Sequence, residues 1–106
     1  MADTKFQIFH EIQALKRQIL PNEKVILFGS QARGDARDNS DWDLLVLLDK
    51  EKKAFEDEDI YGYPFAEMGL KYNTYVSVKI YTLNDWEKRR STPFYKNVKH
   101  EGIEIV

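Results

Sequence analysis

The sequence predicts a small mixed α/β fold, a short sheet flanked by helices, and three stretches carry that expectation. Val25-Ile26-Leu27-Phe28 is a compact apolar run that reads as a buried strand. Leu44 to Leu48 is nearly continuous in Leu and Val, as a central strand buried on both faces would be. Thr74 to Tyr81 (TYVSVKIY) alternates cleanly and is rich in β-branched and aromatic residues, which marks a third strand. The remaining periodic segments read as helices, expected on one face of the sheet with a site at one end.

Taken in order, Thr4-Lys5-Phe6-Gln7 has the form of a capping box and introduces a helix to about Leu20. Ile8, Ile12, Leu15 and Ile19 recur at helical spacing and form its sheet-facing side. Pro21-Asn22 stops it, and Lys24 to Phe28 is the first strand. Ser30 to Arg33 forms one or two helical turns, and Gly34 to Ser40 is rich in turn formers and reads as a loop. Asp43 to Leu48 follows as the central strand. Asp49 to Asp59 has a helical look, Tyr61-Gly62-Tyr63-Pro64 breaks it, and Phe65 to Tyr72 forms a short helix. After the third strand, Asn84 and Thr92-Pro93 start helices near Asp85–Arg90 and Pro93–His100. Gly102 caps the last one, and Ile103-Glu104-Ile105 adds an edge strand.

The totals narrow the function. A chain of 106 residues is read as one domain with one core. A net charge of −2 does not fit a general nucleic-acid binder. Without cysteine there is no disulfide or thiolate metal site. No apolar run approaches membrane-spanning length and no signal core is visible, so the expected location is the cytoplasm.

The chemistry concentrates in Gly29 to Asp43, GSQARGDARDNSDWD. A Gly-Ser turn entering a short helix offers backbone N–H groups that suit a phosphate. Asp41 and Asp43 are spaced i, i+2 at the entrance to a strand, which puts both carboxylates on one face. Like charges side by side call for a cation between them, usually a divalent one. Asp41 alone would pass as a turn cap. Capping does not explain Asp43, which stands in a strand, where Asp is depleted.

Gly29-Ser30, ten residues, then Asp41-Trp42-Asp43 resembles the signature of the DNA polymerase beta-like nucleotidyltransferase superfamily. GSQARG followed by SDWDLLVLL looks like its minimal nucleotidyltransferases, small bacterial proteins often paired with HEPN-domain partners in toxin–antitoxin-type modules. The likeness is dense from Val25 to Leu48 and looser through the strand near Val76 and the terminal EGIEIV. It implies transfer of a nucleoside monophosphate, AMP from ATP being the first choice, to a hydroxyl with release of pyrophosphate. By the same resemblance Asp41 and Asp43 hold Mg²⁺ or Mn²⁺, and Gly29 and Ser30 hold the triphosphate, Gly29 by leaving room for the phosphates. Arg33 reaches phosphate or pairs with Asp35 to fix the loop, and Gly34 serves a positive φ. A HEPN-type protein is the implied acceptor or partner, in a complex or an oligomer.

One position departs from the pattern. The superfamily usually supplies a third carboxylate from the neighbouring strand, and here Ser77 stands at that place. Val76, Val78 and Ile80 form the core face of that strand, so Ser77 and Lys79 share the other with Tyr75 and Tyr81. Neither suits a hard divalent cation. Lys79 could bind phosphate in place of the missing ion or extend to solvent, and Glu67 could supply an acid if its helix folded over the site. No Asp or Glu occurs from Gly69 to Leu83. The alternative is a catalytically impaired member acting as a nucleotide- or partner-binding, antitoxin-like module. Transfer to a small molecule such as an aminoglycoside fits less well without a separate substrate domain. His10 and His100 suggest surface roles, and the exposed members of the Tyr and Phe set could form a docking surface.

Overall fold

The computed structural model describes residues 4–38 and 40–106. Its elements are α1 (Thr4–Ile19), β1 (Lys24–Phe28), α2 (Ser30–Arg33), β2 (Trp42–Leu48), α3 (Tyr63–Leu70), β3 (Val76–Thr82), α4 (Leu83–Glu87), α5 (Pro93–Glu101) and β4 (Ile103–Ile105), with a π-helical turn over Glu58–Gly62 leading into α3. The strands form one sheet in the order β3-β2-β1-β4. β1 runs antiparallel to β2 and to β4, whereas β2 and β3 are parallel. The sheet is therefore mixed, and the parallel pair requires the long crossover that carries α3.

Helices cover both faces of this sheet, where the sequence reading put them on one. The cause lies in β2, whose residues Leu44 to Leu48 are all buried. Leu44, Val46 and Leu48 join Val25, Leu27, Val76 and Ile80 beneath α1 and α3, with Ile8, Ile12, Phe65 and Met68 as the facing side chains. Leu45 and Leu47 point the other way, to Trp86 of α4 and Val98 of α5, with Phe94 and Tyr95 packed around them. A strand apolar on both sides needs a cover on each.

Most local expectations hold, and the exceptions have identifiable causes. Thr4 is already the first helical residue of α1, so it is not the N-cap; the residue before it lies outside the described ones, as does Asn39 of the predicted loop. The helical look of 49–59 fails because buried Asp57 folds the segment onto itself: its carboxylate accepts the Ala54 N–H at 2.6 Å and the Lys50 ammonium at 2.8–3.0 Å. Tyr61-Gly62-Tyr63-Pro64 does not break the helix. Pro64 sits in the first turn of α3, where its missing N–H costs nothing, and the wider π turn precedes it. α4 starts earlier than Asn84 suggested, because Thr82 caps it by accepting the Asp85 N–H. Thr92 caps α5 through the Tyr95 N–H, as its Thr-Pro pair predicts.

Candidate active site

The predicted site residues meet at one end of the sheet, on the α4–α5 side. β1 ends at Phe28, directly opposite Asp43 in the antiparallel register. On the other side Asp43 faces Ser77 of β3, and Lys79 lies two residues along, opposite Leu45. Period-two alternation gives Asp43, Ser77 and Lys79 one common face. Asp41 stands just before β2 and is exposed, while Asp43 is half-buried. The register thus puts Ser77 directly beside Asp43, where the resemblance calls for a third acid.

Gly29 turns the chain from β1 into α2 with φ 80° and ψ −160°, a left-handed conformation that favours glycine. Its carbonyl accepts the Ala32 and Arg33 N–H groups, both at 3.0 Å, and Gly34, with φ 86°, closes α2 through its N–H to the Ser30 carbonyl. A Cβ on Gly29 would collide with Asp43 Oδ2. This alters the expectation for Gly29: the atom that its missing side chain admits in this structure is the Asp43 carboxylate, so turn and strand interlock. Ser30 opens α2 at this point, half-buried. The first N–H groups of a helix lack intrahelical acceptors, which leaves Ser30 and Gln31 offering donors.

Arg33 takes the structural option weighed from the sequence and adds a second partner. Its guanidinium bridges Asp35 at 3.2 Å and Glu101 at 3.2 Å. Glu101 ends α5 and was not singled out from the sequence. Its Oε2 also accepts the Gly29 N–H at 2.7 Å. No local signal pointed to it, because the pairing partner lies 68 residues along the chain. Glu67, by contrast, is on α3 and lines a groove of about 520 Å³ with Leu15, Pro64 and Met68, on the opposite side of the sheet. It does not reach the carboxylates.

Electrostatics single out Asp43. No hydrogen bond or ion pair among the described residues engages its carboxylate, and its pKa is raised above the ordinary 3.8. Burial is the first cause and the neighbouring Asp41 charge the second, with Lys79 and Arg33 pulling the other way. An unpaired, half-buried carboxylate beside a second one is an oxygen donor set suited to a hard divalent cation. Among the described residues no cluster of three or more His, Asp or Glu side chains could enclose an ion. Among the described residues, the carboxylates that stand together at the start of β2 are thus Asp41 and Asp43, without a third acid beside them on β3.

Comparisons with known proteins give the family and the fold. A nucleotidyltransferase domain model matches residues 11–102. Two relatives from Methanocaldococcus jannaschii bear the names of candidate protein adenylyltransferases. MJ0141 is 35% identical over 78% of this chain and 78% of its own length, and MJ0604 is 32% identical over 76% and 74%. Among solved structures, a toxin–antitoxin crystal structure with AMP-PNP superposes with a TM-score of 0.63 at 22% identity, over 92% of this chain and 72% of that one. A candidate nucleotidyltransferase from Sulfolobus solfataricus gives 0.53 at 21% identity, over 98% and 87%. At those identities the two structures speak for the fold alone; the sequence matches go further. The chain belongs to the nucleotidyltransferase domain family and is a transferase of nucleotidyl groups.

Proposed function

We propose that this transferase moves AMP from ATP to a hydroxyl of a partner protein, as one domain working in the cytoplasm within a toxin–antitoxin-type pair. The observation that carries the reading is the unpaired Asp43 carboxylate, locked against the Gly29 turn with Asp41 beside it. Support for a protein acceptor comes from the two relatives named as candidate protein adenylyltransferases, and support for a paired protein from the toxin–antitoxin neighbour with AMP-PNP. A HEPN-type partner is the first to test, on the strength of the sequence resemblance.

In this reading Asp41 and Asp43 hold Mg²⁺ or Mn²⁺, which when bound neutralises triphosphate charge and lowers the pKa of the attacking hydroxyl. Ser30 donates to the triphosphate from the start of α2, and Gly29 keeps that turn against Asp43. Arg33 fixes the loop through Asp35 and Glu101 rather than reaching for phosphate first. Lys79, whose charge already acts on Asp43, shares the face of Asp43, where it would meet the phosphates of the nucleotide. The acceptor oxygen forms a bond to the α-phosphorus, the bond from that phosphorus to the bridging oxygen breaks, and pyrophosphate leaves. The hydroxyl proton passes to solvent, because Ser77 offers no base at that strand.

Calorimetric titration with ATP, with and without Mg²⁺, tests the site without knowledge of the acceptor. Mg²⁺-dependent binding in the wild type that vanishes in Asp41→Asn/Asp43→Asn is the expected result; no wild-type binding would sink the nucleotide site. Transfer is then read by labelling a co-purified partner with ATP radiolabelled at the α-phosphate. The alternative, a binding module without transferase activity, has Ser77 opposite Asp43 behind it. It predicts binding without label transfer.

A further inference from the structure

The carboxylate that most needs an account is Glu101, which neither the metal nor the chemistry of transfer requires. It sits at the last residue of α5 with its side chain only 16% exposed. Oε2 accepts the Gly29 N–H at 2.7 Å and an Arg33 Nη1 hydrogen at 3.2 Å, and Oε1 lies 3.4 Å from the same nitrogen. Both oxygens are thus committed to donors. With its oxygens engaged by these donors, Glu101 is not placed as a base. Nor does it complete a cluster able to enclose an ion among the described residues.

The fold brings it there by a close fit. A Cβ on the next residue, Gly102, would stand 2.5 Å from the Val98 carbonyl oxygen and 2.7 Å from Ile26 Cγ2. Only glycine lets the end of α5 lie on β1 this tightly. Gly102 has ordinary φ and ψ, −66° and 145°, so the need is for space rather than for a left-handed backbone. β4 then pairs with β1, Ile103 opposite Leu27 and Glu104 opposite Ile26, which fixes the chain on the far side of Glu101. The backbone that carries this carboxylate is thus fixed on both sides of Glu101.

We propose that Glu101 is a positioning residue of the nucleotide site: by accepting the Gly29 N–H and anchoring Arg33, it holds the Gly29-Ser30 turn against Asp43 in the conformation that receives the triphosphate. The inference rests on the nucleotidyltransferase reading of that turn and deepens it. A competing role is that of an anion occupying donors that phosphate would take. The two differ in sign: loss of a positioning group weakens MgATP binding, and loss of an occupant strengthens it.

The test is MgATP calorimetry on the full chain carrying Glu101→Ala or Glu101→Gln. The alanine variant is expected to bind about tenfold more weakly, the scale of one hydrogen bond to a charged group. The glutamine variant keeps an oxygen acceptor for the Gly29 N–H and should recover most of the affinity, a rescue that general destabilisation would not produce. Unchanged or tighter binding in Glu101→Ala, with wild-type binding intact, overturns the inference alone. Absence of binding by the wild type overturns the nucleotide reading, and the inference with it. Amide hydrogen exchange at Gly29 in the wild type needs no variant: protection is expected, and a freely exchanging Gly29 amide would overturn the proposal even if Glu101→Ala fails to fold.

Discussion

Asp43 and Asp57 are both drawn in from solvent, yet the protein treats them in opposite ways. Asp57 is buried, and burial alone would raise its pKa. The Lys50 ammonium and the Ala54 N–H outweigh that, and its carboxyl is held below the ordinary 3.8. Asp43 has no such partners, and burial together with Asp41 pushes it above the same value. A carboxylate kept for structure is given its counter-charge by its own loop. Asp43, which the proposed function assigns to a cation, is left short of positive charge, a cost that a bound cation would offset. On that proposal the contrast separates a folding residue from a working one more clearly than burial does.

The largest expected effect is on binding. Asp43→Asn should bring Mg²⁺-dependent ATP binding below detection in calorimetry without lowering thermal stability, since it removes a like-charge contact. Reduced stability in that variant would mean that Asp43 is structural after all. Asp57→Ala should do the reverse, costing about 2 kcal/mol in denaturant unfolding by removing the buried carboxylate that accepts the Ala54 N–H and pairs with the Lys50 ammonium, with MgATP affinity unchanged.

A smaller effect sharpens the contrast at Ser77. Ser77→Asp puts a second like charge directly opposite Asp43. Melting temperature without metal should fall and should recover on adding Mg²⁺; a metal-independent loss would show that the face is closed to cations.

The smallest effect is in pH. Asp57, with a lowered folded pKa, contributes stability that is present above its unfolded pKa and lost as pH falls through the folded one. Asp43, with a raised folded pKa, imposes a cost above that pKa that is relieved on acidification, before the Asp57 loss sets in. Melting curves of the metal-free protein from neutral to acid pH should therefore hold level or rise slightly and then drop. Asp43→Asn should abolish the early part, and Asp57→Asn should soften the drop. A monotonic fall that neither variant alters would break the comparison.

Much of the site was legible because its spacing is local. Alternation alone puts Asp41 on the side of Asp43, and the apolar patterns of β2 and β3 set Ser77 and Lys79 on the face that carries Asp43. The misreadings have different causes. Asp57 captured Lys50 and unwound a segment with helical composition. Packing carried the chain as helix through Gly62 and Pro64, a pair that usually marks a turn. Helices on both sides of the sheet are implicit in the run Leu44 to Leu48, which is apolar on both faces.

The sequence by itself determined the strand segments, most of the helices, the spacing that pairs two carboxylates, and a glycine where the first strand must turn. Those follow from periodicity and backbone sterics, which act over a few residues. Only the tertiary structure decided that Gly29 makes room for Asp43, that Glu67 faces away, and that Glu101 arrives at the turn from the end of α5. Such contacts depend on how closely two distant segments pack, and a separation of 72 residues leaves no periodic trace in the chain.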